Sequence, residues 1–169
     1  AAHALGVEAT SMLVTGHGST AQRPAAGSAI AGALRYNTDT ARLEVCDGAT
    51  WQAPTTLTPL PNPVRVYDSR SHDGPIHAGQ SRTLSLADRL PAGATGAIVN
   101  LTITGTLGGG YLTLYPAGHT RPHTSSINWY TTGQTLANQA TTNLGNTTAI
   151  TIYAAGTTQY LIDLLAYLA

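Results

Sequence analysis

The sequence of 169 residues contains no lysine, no phenylalanine and a single cysteine, and only 9% of its residues are charged. The single thiol, Cys46, excludes an internal disulfide and any zinc site built on cysteines. Because the formal net charge is zero, bulk electrostatics favours neither nucleic acid nor an anionic membrane as a partner. The chain also lacks an apolar run approaching the roughly 18 residues of a membrane-spanning helix.

Threonine, alanine and glycine dominate the composition. Threonine is β-branched and favours strands. A threonine-rich surface with little charge is typical of a rigid extracellular or particle-bound β protein, and is less typical of a cytosolic enzyme. Since lysine and phenylalanine both use AT-rich codons, their absence indicates a GC-rich genome.

Changes in composition divide the chain into four segments. Residues 1–32 are rich in alanine, glycine and serine and predict an extended arm, with a short helix over 1–13. Residues 33–52 predict a β-hairpin, and residues 53–63 predict a semi-rigid, proline-rich linker. Residues 64–169 carry the signals of the main domain.

The hairpin signal is an alternation of apolar and polar residues on both sides of a turn. The alternating apolar residues are Leu34, Tyr36, Leu43 and Val45. A lone hairpin is at best marginally stable in water, so this one is expected to pack on the main domain or on copies of itself. The contacts expected from it are Tyr36, Leu43, Val45 and Trp51.

Eight strand-like segments follow, separated by glycine, proline and asparagine. They span residues 64–69, 81–87, 96–105, 110–116, 125–131, 135–144, 149–155 and 159–168. This spacing predicts an all-β fold, an antiparallel β-sandwich or jelly-roll-like domain. The last segment is nearly all apolar and fits a buried strand or a short helix, and its β-rich context favours the strand.

Two stretches resemble known families. "STAQRP" followed by "ALRYNTDTARLEVCDGATW" resembles a short hairpin module of tail-fibre and other virion proteins of double-stranded DNA phages. In that module glycine is usual at the position of Ala41, and an aromatic residue is usual at the position of Cys46. The alanine weakens the turn and the cysteine removes a packing ring, while the rest of the pattern remains.

Residues 64–168 resemble a repeat-forming β domain of actinobacterial secreted proteins and of phages of those hosts. The matching pieces are "RVYDSR", "LPAGATGAIVNLTITG", "GYLTLYPAGHTRPHTSSINW", "GQTLANQATTNLG" and "YLIDLLAYL". A phage of an actinobacterium explains both resemblances and the GC-rich composition.

The resemblances together imply a structural protein on the virion surface, assembled in the host cytoplasm. Residues 1–32 would anchor it to the particle, and it would serve as a capsid decoration, a head fibre or a minor tail protein. In virion fibres such hairpins often lie where three chains meet, which implies a homotrimer that contacts other virion proteins.

Catalytic and metal-binding patterns are weak in this sequence. His119 and His123 flank Pro122 in a loop without a carboxylate or cysteine at ligand spacing. His72, Asp73 and His77 fit turn chemistry better than a cation site. Because no nucleophile motif of the G-x-S-x-G type is present either, we expect neither an enzyme nor a bound cofactor or metal.

The remaining carboxylates, Asp68 and Asp163, predict a structural ion-pair network with Arg70. Asp163 lies in the apolar run "YLIDLL", and a buried carboxylate there must be paired or protonated. Arg65 and Arg82 are further available partners.

The alternative function is a carbohydrate-binding module that adheres to the host cell envelope. Sugar sites combine an exposed aromatic face with amide hydrogen bonds. Trp129 and Tyr130 are neighbours on a strand, so one is expected in the core and the other on the surface. The predicted glycan contacts are Trp129, Tyr130, Asn128 and Gln134.

Overall fold

The computed structural model describes residues 16–144 and 147–169, so the helix predicted over 1–13 lies outside the described residues. The chain forms two compact units, unit 1 up to Thr55 and unit 2 from Thr56 to Ala169. The described part contains strands and three short 3-10 turns and no α-helix. No helix long and apolar enough to cross a membrane occurs in it.

Unit 1 is a four-stranded sheet in which the strands follow chain order. Its strands are β1 (Gly16–Gly18), β2 (Leu34–Asn37), β3 (Arg42–Cys46) and β4 (Trp51–Gln52). Strands β2 and β3 form the predicted hairpin, and β4 adds an antiparallel third strand. Strand β1 comes from the predicted arm and pairs with β2 in parallel.

The described part of the arm therefore belongs to the same unit as the hairpin. Ser19 begins a 3-10 turn over Thr20–Gln22 with a reciprocal capping box, in which its hydroxyl accepts from the Gln22 amide. The Thr20 amide in turn donates to Asp39 in the hairpin turn at 2.8 Å. These local bonds fold the arm back onto the hairpin.

Ala41 closes the turn between β2 and β3 with φ 52°, in the left-handed region. A residue with a β-carbon pays about 1–2 kcal/mol for that conformation, which glycine adopts freely. The turn thus has a backbone conformation that glycine would adopt without strain, and alanine occupies it at a cost.

The described residues of unit 2 form eight strands in two four-stranded antiparallel sheets, which confirms the predicted β-sandwich. The strands are β5 (Leu57–Asp68), β6 (Ser81–Ser85), β7 (Gly96–Leu107), β8 (Gly110–Pro116), β9 (Ile127–Trp129), β10 (Leu136–Asn143), β11 (Ala149–Ala154) and β12 (Thr157–Leu168). The final apolar segment is a strand, as its β-rich context indicates.

The strand order gives this sandwich a jelly-roll topology. Sheet 1 has the order β10-β7-β12-β5, and sheet 2 has the order β6-β11-β8-β9. The first strand of the domain pairs with the eighth, the second with the seventh, the third with the sixth and the fourth with the fifth. The domain is therefore one long hairpin that is rolled up so that its two halves face each other.

The core lies between the two sheets and consists of aliphatic residues and the rings of Tyr67, Trp129 and Tyr160. Alternate residues of β12, Tyr160, Ile162 and Leu164, are fully buried, and they meet Ile150 and Ile152 of β11. The alternation follows the pleat of a strand with one face on the core.

The predicted linker, 53–63, is shorter in the structure because β5 begins at Leu57. Three prolines, Pro59, Pro61 and Pro63, lie within this strand. They are tolerated because β5 is an edge strand of sheet 1 and pairs only with β12. A proline on an edge strand lacks an amide donor, and the loss is acceptable where that position faces the unpaired edge. Composition alone indicated a linker, and pairing with β12 overrode it.

Candidate functional site

A cleft of about 310 Å³ lies on the face of sheet 2 that points away from the core. Tyr111 on β8 and Asn128 on β9 are directly paired and form its base. Residues 121–125 of the β8–β9 loop form its wall. Tyr111 and Asn128 face outward because their strand neighbours Leu112, Ile127 and Trp129 are buried in the core.

Hydrogen bonds hold the wall loop against the strands. The Thr113 hydroxyl donates to the Thr124 carbonyl at 2.6 Å, and the Leu114 amide donates to the Ser126 hydroxyl at 2.9 Å. The Asn138 side chain donates to the Ser126 carbonyl at 2.7 Å. The end of the loop is thereby fixed beside the base of the cleft.

Arg121, in the wall of the cleft, stacks on Tyr153, whose ring lies near Tyr111 at the base. The Arg121 guanidinium carbon lies 3.8 Å from the centre of the Tyr153 ring, which is the distance of a stacked cation–π contact. The Tyr153 ring is 6.3 Å from the Tyr111 ring and tilted by 50° to it. Stacking fixes the plane of the guanidinium and leaves its N–H edge for another group.

The predicted glycan residues do not form one site. Trp129 is 1% exposed and belongs to the core, so it is not a ligand contact. Tyr130 is 81% exposed. The Gln134 carbonyl oxygen accepts from the Tyr130 and Thr131 amides at 2.7 and 3.0 Å, which braces the turn. Only Asn128 lines the cleft, with its amide donating to Ser125 at 2.9 Å.

Sequence reasoning missed Tyr111 and Arg121, which line this cleft, and Tyr153, on which Arg121 stacks. They lie on β8, in the following loop and on β11, and strand pairing brings them together. The available signal was the alternation of "GYLTLYP", which places Tyr111 on the face opposite to Leu112.

The carboxylates Asp68 and Asp163 are joined through Arg65, on the outer side of sheet 1. Arg65 forms a two-pronged pair with Asp163 and a 3.2 Å ion pair with Asp68. Arg70 contacts Asp68 alone, at 2.7 Å, and its guanidinium lowers the pKa of Asp68 to about 2. Arg70 and Asp163 are not directly paired.

Asp163 does not occupy the buried position that its apolar neighbours suggested. Its side chain is 17% exposed, because Tyr160, Ile162 and Leu164 take the core face of β12 and Asp163 takes the other. An exposed pair of this kind fixes strand positions and contributes little free energy.

The His72 and Asp73 side chains serve the loop after β5. Asp73 accepts from the Tyr67 hydroxyl at 2.8 Å, and the His72 ring stacks on Tyr67. Arg82 donates to the carbonyls of Gly74 and Pro75 at 2.8 and 2.7 Å, so it braces this loop instead of joining Asp163. No group of three potential metal ligands occurs among residues 16–144 and 147–169.

In unit 1, a buried carboxylate organises one face of the sheet. Glu44 accepts from Arg23, Arg35 and Asn37 at 2.5, 3.0 and 2.9 Å, and its residue exposure is 4%. Arg35 also donates to the Gly18 carbonyl at 2.8 Å. This network attaches the described arm to the hairpin.

The opposite face of the hairpin is apolar and exposed. Pairing places Leu34 beside Val45 and Tyr36 beside Leu43 on this face. Leu34, Tyr36 and Leu43 are 48%, 40% and 41% exposed. We name these four residues the apolar row.

Trp51 was predicted to belong with the apolar row, but it lies on the other face. It pairs with Cys46, which is fully buried beneath the arm. Its indole donates to the Pro24 carbonyl at 2.8 Å, and the Arg35 guanidinium lies 5.9 Å from its ring centre. Trp51 therefore holds the arm within its own chain.

No protein-family model matches the chain, and no curated protein is significantly similar to it.

Proposed function

We propose that this chain is a structural protein displayed on the surface of an actinobacteriophage virion, as a capsid decoration, a head fibre or a minor tail protein. The observation that carries the proposal is the apolar row of Leu34, Tyr36, Leu43 and Val45 on a module that resembles a virion hairpin. The jelly roll supports it, because this architecture is shared by viral capsid domains. No reaction is needed for this role.

The row provides the association surface. Its members are adjacent on the paired strands β2 and β3, and contiguous exposed apolar side chains of this kind mark interaction sites. The face behind the row is already closed by the Glu44 network. A partner can therefore cover only the face that carries the apolar row. Three copies around a three-fold axis would bury their three rows against one another.

The first prediction concerns the oligomeric state of the chain in solution. The wild-type chain is expected to run as a trimer, three times the 17.4 kDa chain mass, in light scattering over a dilution series. The double variant Leu34→Ser/Leu43→Ser removes two apolar members of each row and is expected to run as a monomer.

The matched control is Leu107→Ser, because Leu107 is 59% exposed and lies outside the row, in unit 2. This variant should keep the wild-type mass. A wild-type protein that stays monomeric at every concentration would contradict the trimer, as would a double variant that keeps the trimer mass.

The second candidate function is carbohydrate binding at the host cell envelope. The cleft beside Asn128 favours it, because an aromatic side chain, an amide and hydroxyl groups converge there. Jelly rolls also occur as lectin domains. The burial of Trp129 counts against the sugar site that the sequence suggested.

A further inference from the structure

We infer that the cleft between Tyr111 and the 121–125 loop binds one acidic sugar unit of a polysaccharide, with Arg121 reading its carboxylate. This inference deepens the second candidate function by naming its site and its ligand class. It does not depend on the trimer or on virion display, since it concerns unit 2 alone.

The charge of the cleft points to an anion. Arg121 lines the cleft, and its guanidinium lies over the Tyr153 ring. Among the described residues it forms no ion pair, and none of those that line the cleft is an aspartate or a glutamate. The cleft therefore carries a positive charge without a counter-charge from the described chain.

The orientation of Arg121 suits a carboxylate. A guanidinium presents parallel N–H donors in one plane, which match the two oxygens of a carboxylate. The stack on Tyr153 at 3.8 Å sets that plane before a ligand arrives. A preset side chain loses less conformational entropy on binding than a mobile one.

The rest of the cleft suits a sugar ring. Tyr111 offers an aromatic side chain to the C–H face of a pyranose. Asn128 and Ser125, already joined at 2.9 Å, offer an amide oxygen and a hydroxyl proton to sugar hydroxyls. The volume of about 310 Å³ is at the lower end of the ~300–1,000 Å³ typical of small-molecule sites, and the open side lets a longer chain continue.

The test is calorimetric titration of the full chain with trigalacturonate and with its fully methyl-esterified form. We expect trigalacturonate to bind and the ester to bind at least ten-fold more weakly, because esterification removes the charge and keeps the ring. Arg121→Gln and Tyr111→Ala are each expected to weaken trigalacturonate binding at least ten-fold.

Tyr130→Ala is the matched control, since Tyr130 is an exposed tyrosine outside the cleft and should leave binding unchanged. Thermal unfolding of each variant will test whether unit 2 is intact. Arg121→Lys keeps the charge without the planar guanidinium, so its affinity for trigalacturonate should lie between those of wild type and Arg121→Gln.

Three results would overturn the inference. The first is no binding of trigalacturonate by the wild-type chain, and the second is equal binding of the ester. The third is loss of binding in Tyr130→Ala while Arg121→Gln and Tyr111→Ala still bind like wild type. Each of these leaves the mass of the oligomer unaffected, so failure here is distinguishable from failure of the proposed structural role.

Discussion

Replacing Gly110 with alanine is expected to lower the free energy of unfolding of unit 2 by about 3 kcal/mol, at the upper end of overpacking costs. A β-carbon at Gly110 would lie 2.6 Å from Cζ2 of Trp129 and 2.7 Å from the Gly156 Cα. Trp129 is 1% exposed and cannot swing into solvent. Gly156 presents backbone, and this backbone can move only if the turn between β11 and β12 shifts away from β8.

Gly156 lies across this contact from Gly110, and its position tolerates a β-carbon equally poorly. Its β-carbon would approach the Gly109 carbonyl oxygen at 2.7 Å and the Gly110 Cα at 2.9 Å. The run "LGGGY" therefore does more than turn the chain between β7 and β8. It lets two backbones close over the indole of Trp129.

Gly109→Ala is the matched control for this prediction. Its β-carbon would lie no closer than 3.5 Å to any other atom outside its immediate neighbours, and its φ is not in the left-handed region. Chemical denaturation of both variants, followed by hydrogen exchange of the amides in β8 and β11 of unit 2, measures the difference. Equal stability of Gly110→Ala and Gly109→Ala would contradict the close packing described here.

Replacing Glu44 with glutamine is expected to destabilise unit 1 by about 3 kcal/mol, because it leaves buried positive charge without a partner. The Arg35 side chain is 7% exposed and pairs with Glu44 at 3.0 Å. Glutamine keeps the shape of glutamate and removes the charge. Hydrogen exchange of the amides in β2 and β3 measures the loss, with the exposed Thr40→Ser as a control expected to change stability by less than about 0.5 kcal/mol.

Acid should reproduce part of this effect. Burial opposes ionisation of Glu44, yet hydrogen bonds from Asn37, Arg23 and Arg35 outweigh it and hold the pKa of Glu44 below its ordinary value of 4.5. A carboxyl with a lowered pKa contributes stability above its ordinary pKa and loses it as the pH falls through the folded value. Unit 1 is therefore expected to weaken progressively below about pH 4.5.

The pH profile of Glu44→Gln should be flatter than that of wild type in this range, although not flat. Asp47 remains in the variant, and its pKa is lowered to about 2 by the Thr50 and Ala49 amides. An unchanged acid profile in Glu44→Gln would show that Glu44 does not couple protonation to the folding of unit 1.

The sequence carried enough information to predict the strands of the sandwich. In β7 and β12 a period of two separates core residues from surface residues, and glycine and proline mark most of the ends. The hairpin was equally clear, because Leu34 and Tyr36 alternate before a turn of polar residues.

The contacts that pattern could not reveal are those between segments distant in the chain. The parallel pairing of β1 with β2 depends on Arg35 reaching the Gly18 and Ser19 carbonyls. The cleft depends on Tyr111 being opposite Asn128 and next to Tyr153. Neither register follows from local propensity, because both are set by how the sheets close.

Trp51 shows the same limit within a short module. Trp51 was predicted as one of the contacts of the hairpin, together with Tyr36, Leu43 and Val45. Its pairing with Cys46 places it on the face of the sheet opposite to the apolar row. A shift of one residue in a strand exchanges the two faces, so an isolated two-residue strand such as β4 gives too little pattern to assign one.

The measurement that tests the proposed virion display most directly is immunogold electron microscopy of phage particles purified from cultures of cells that carry the gene for this chain. Antibodies raised against residues 56–169 are predicted to label intact particles at repeated positions, on the capsid or on the tail. Particles without label, with the antigen recovered instead from the culture medium or the cell envelope, would contradict display on the virion.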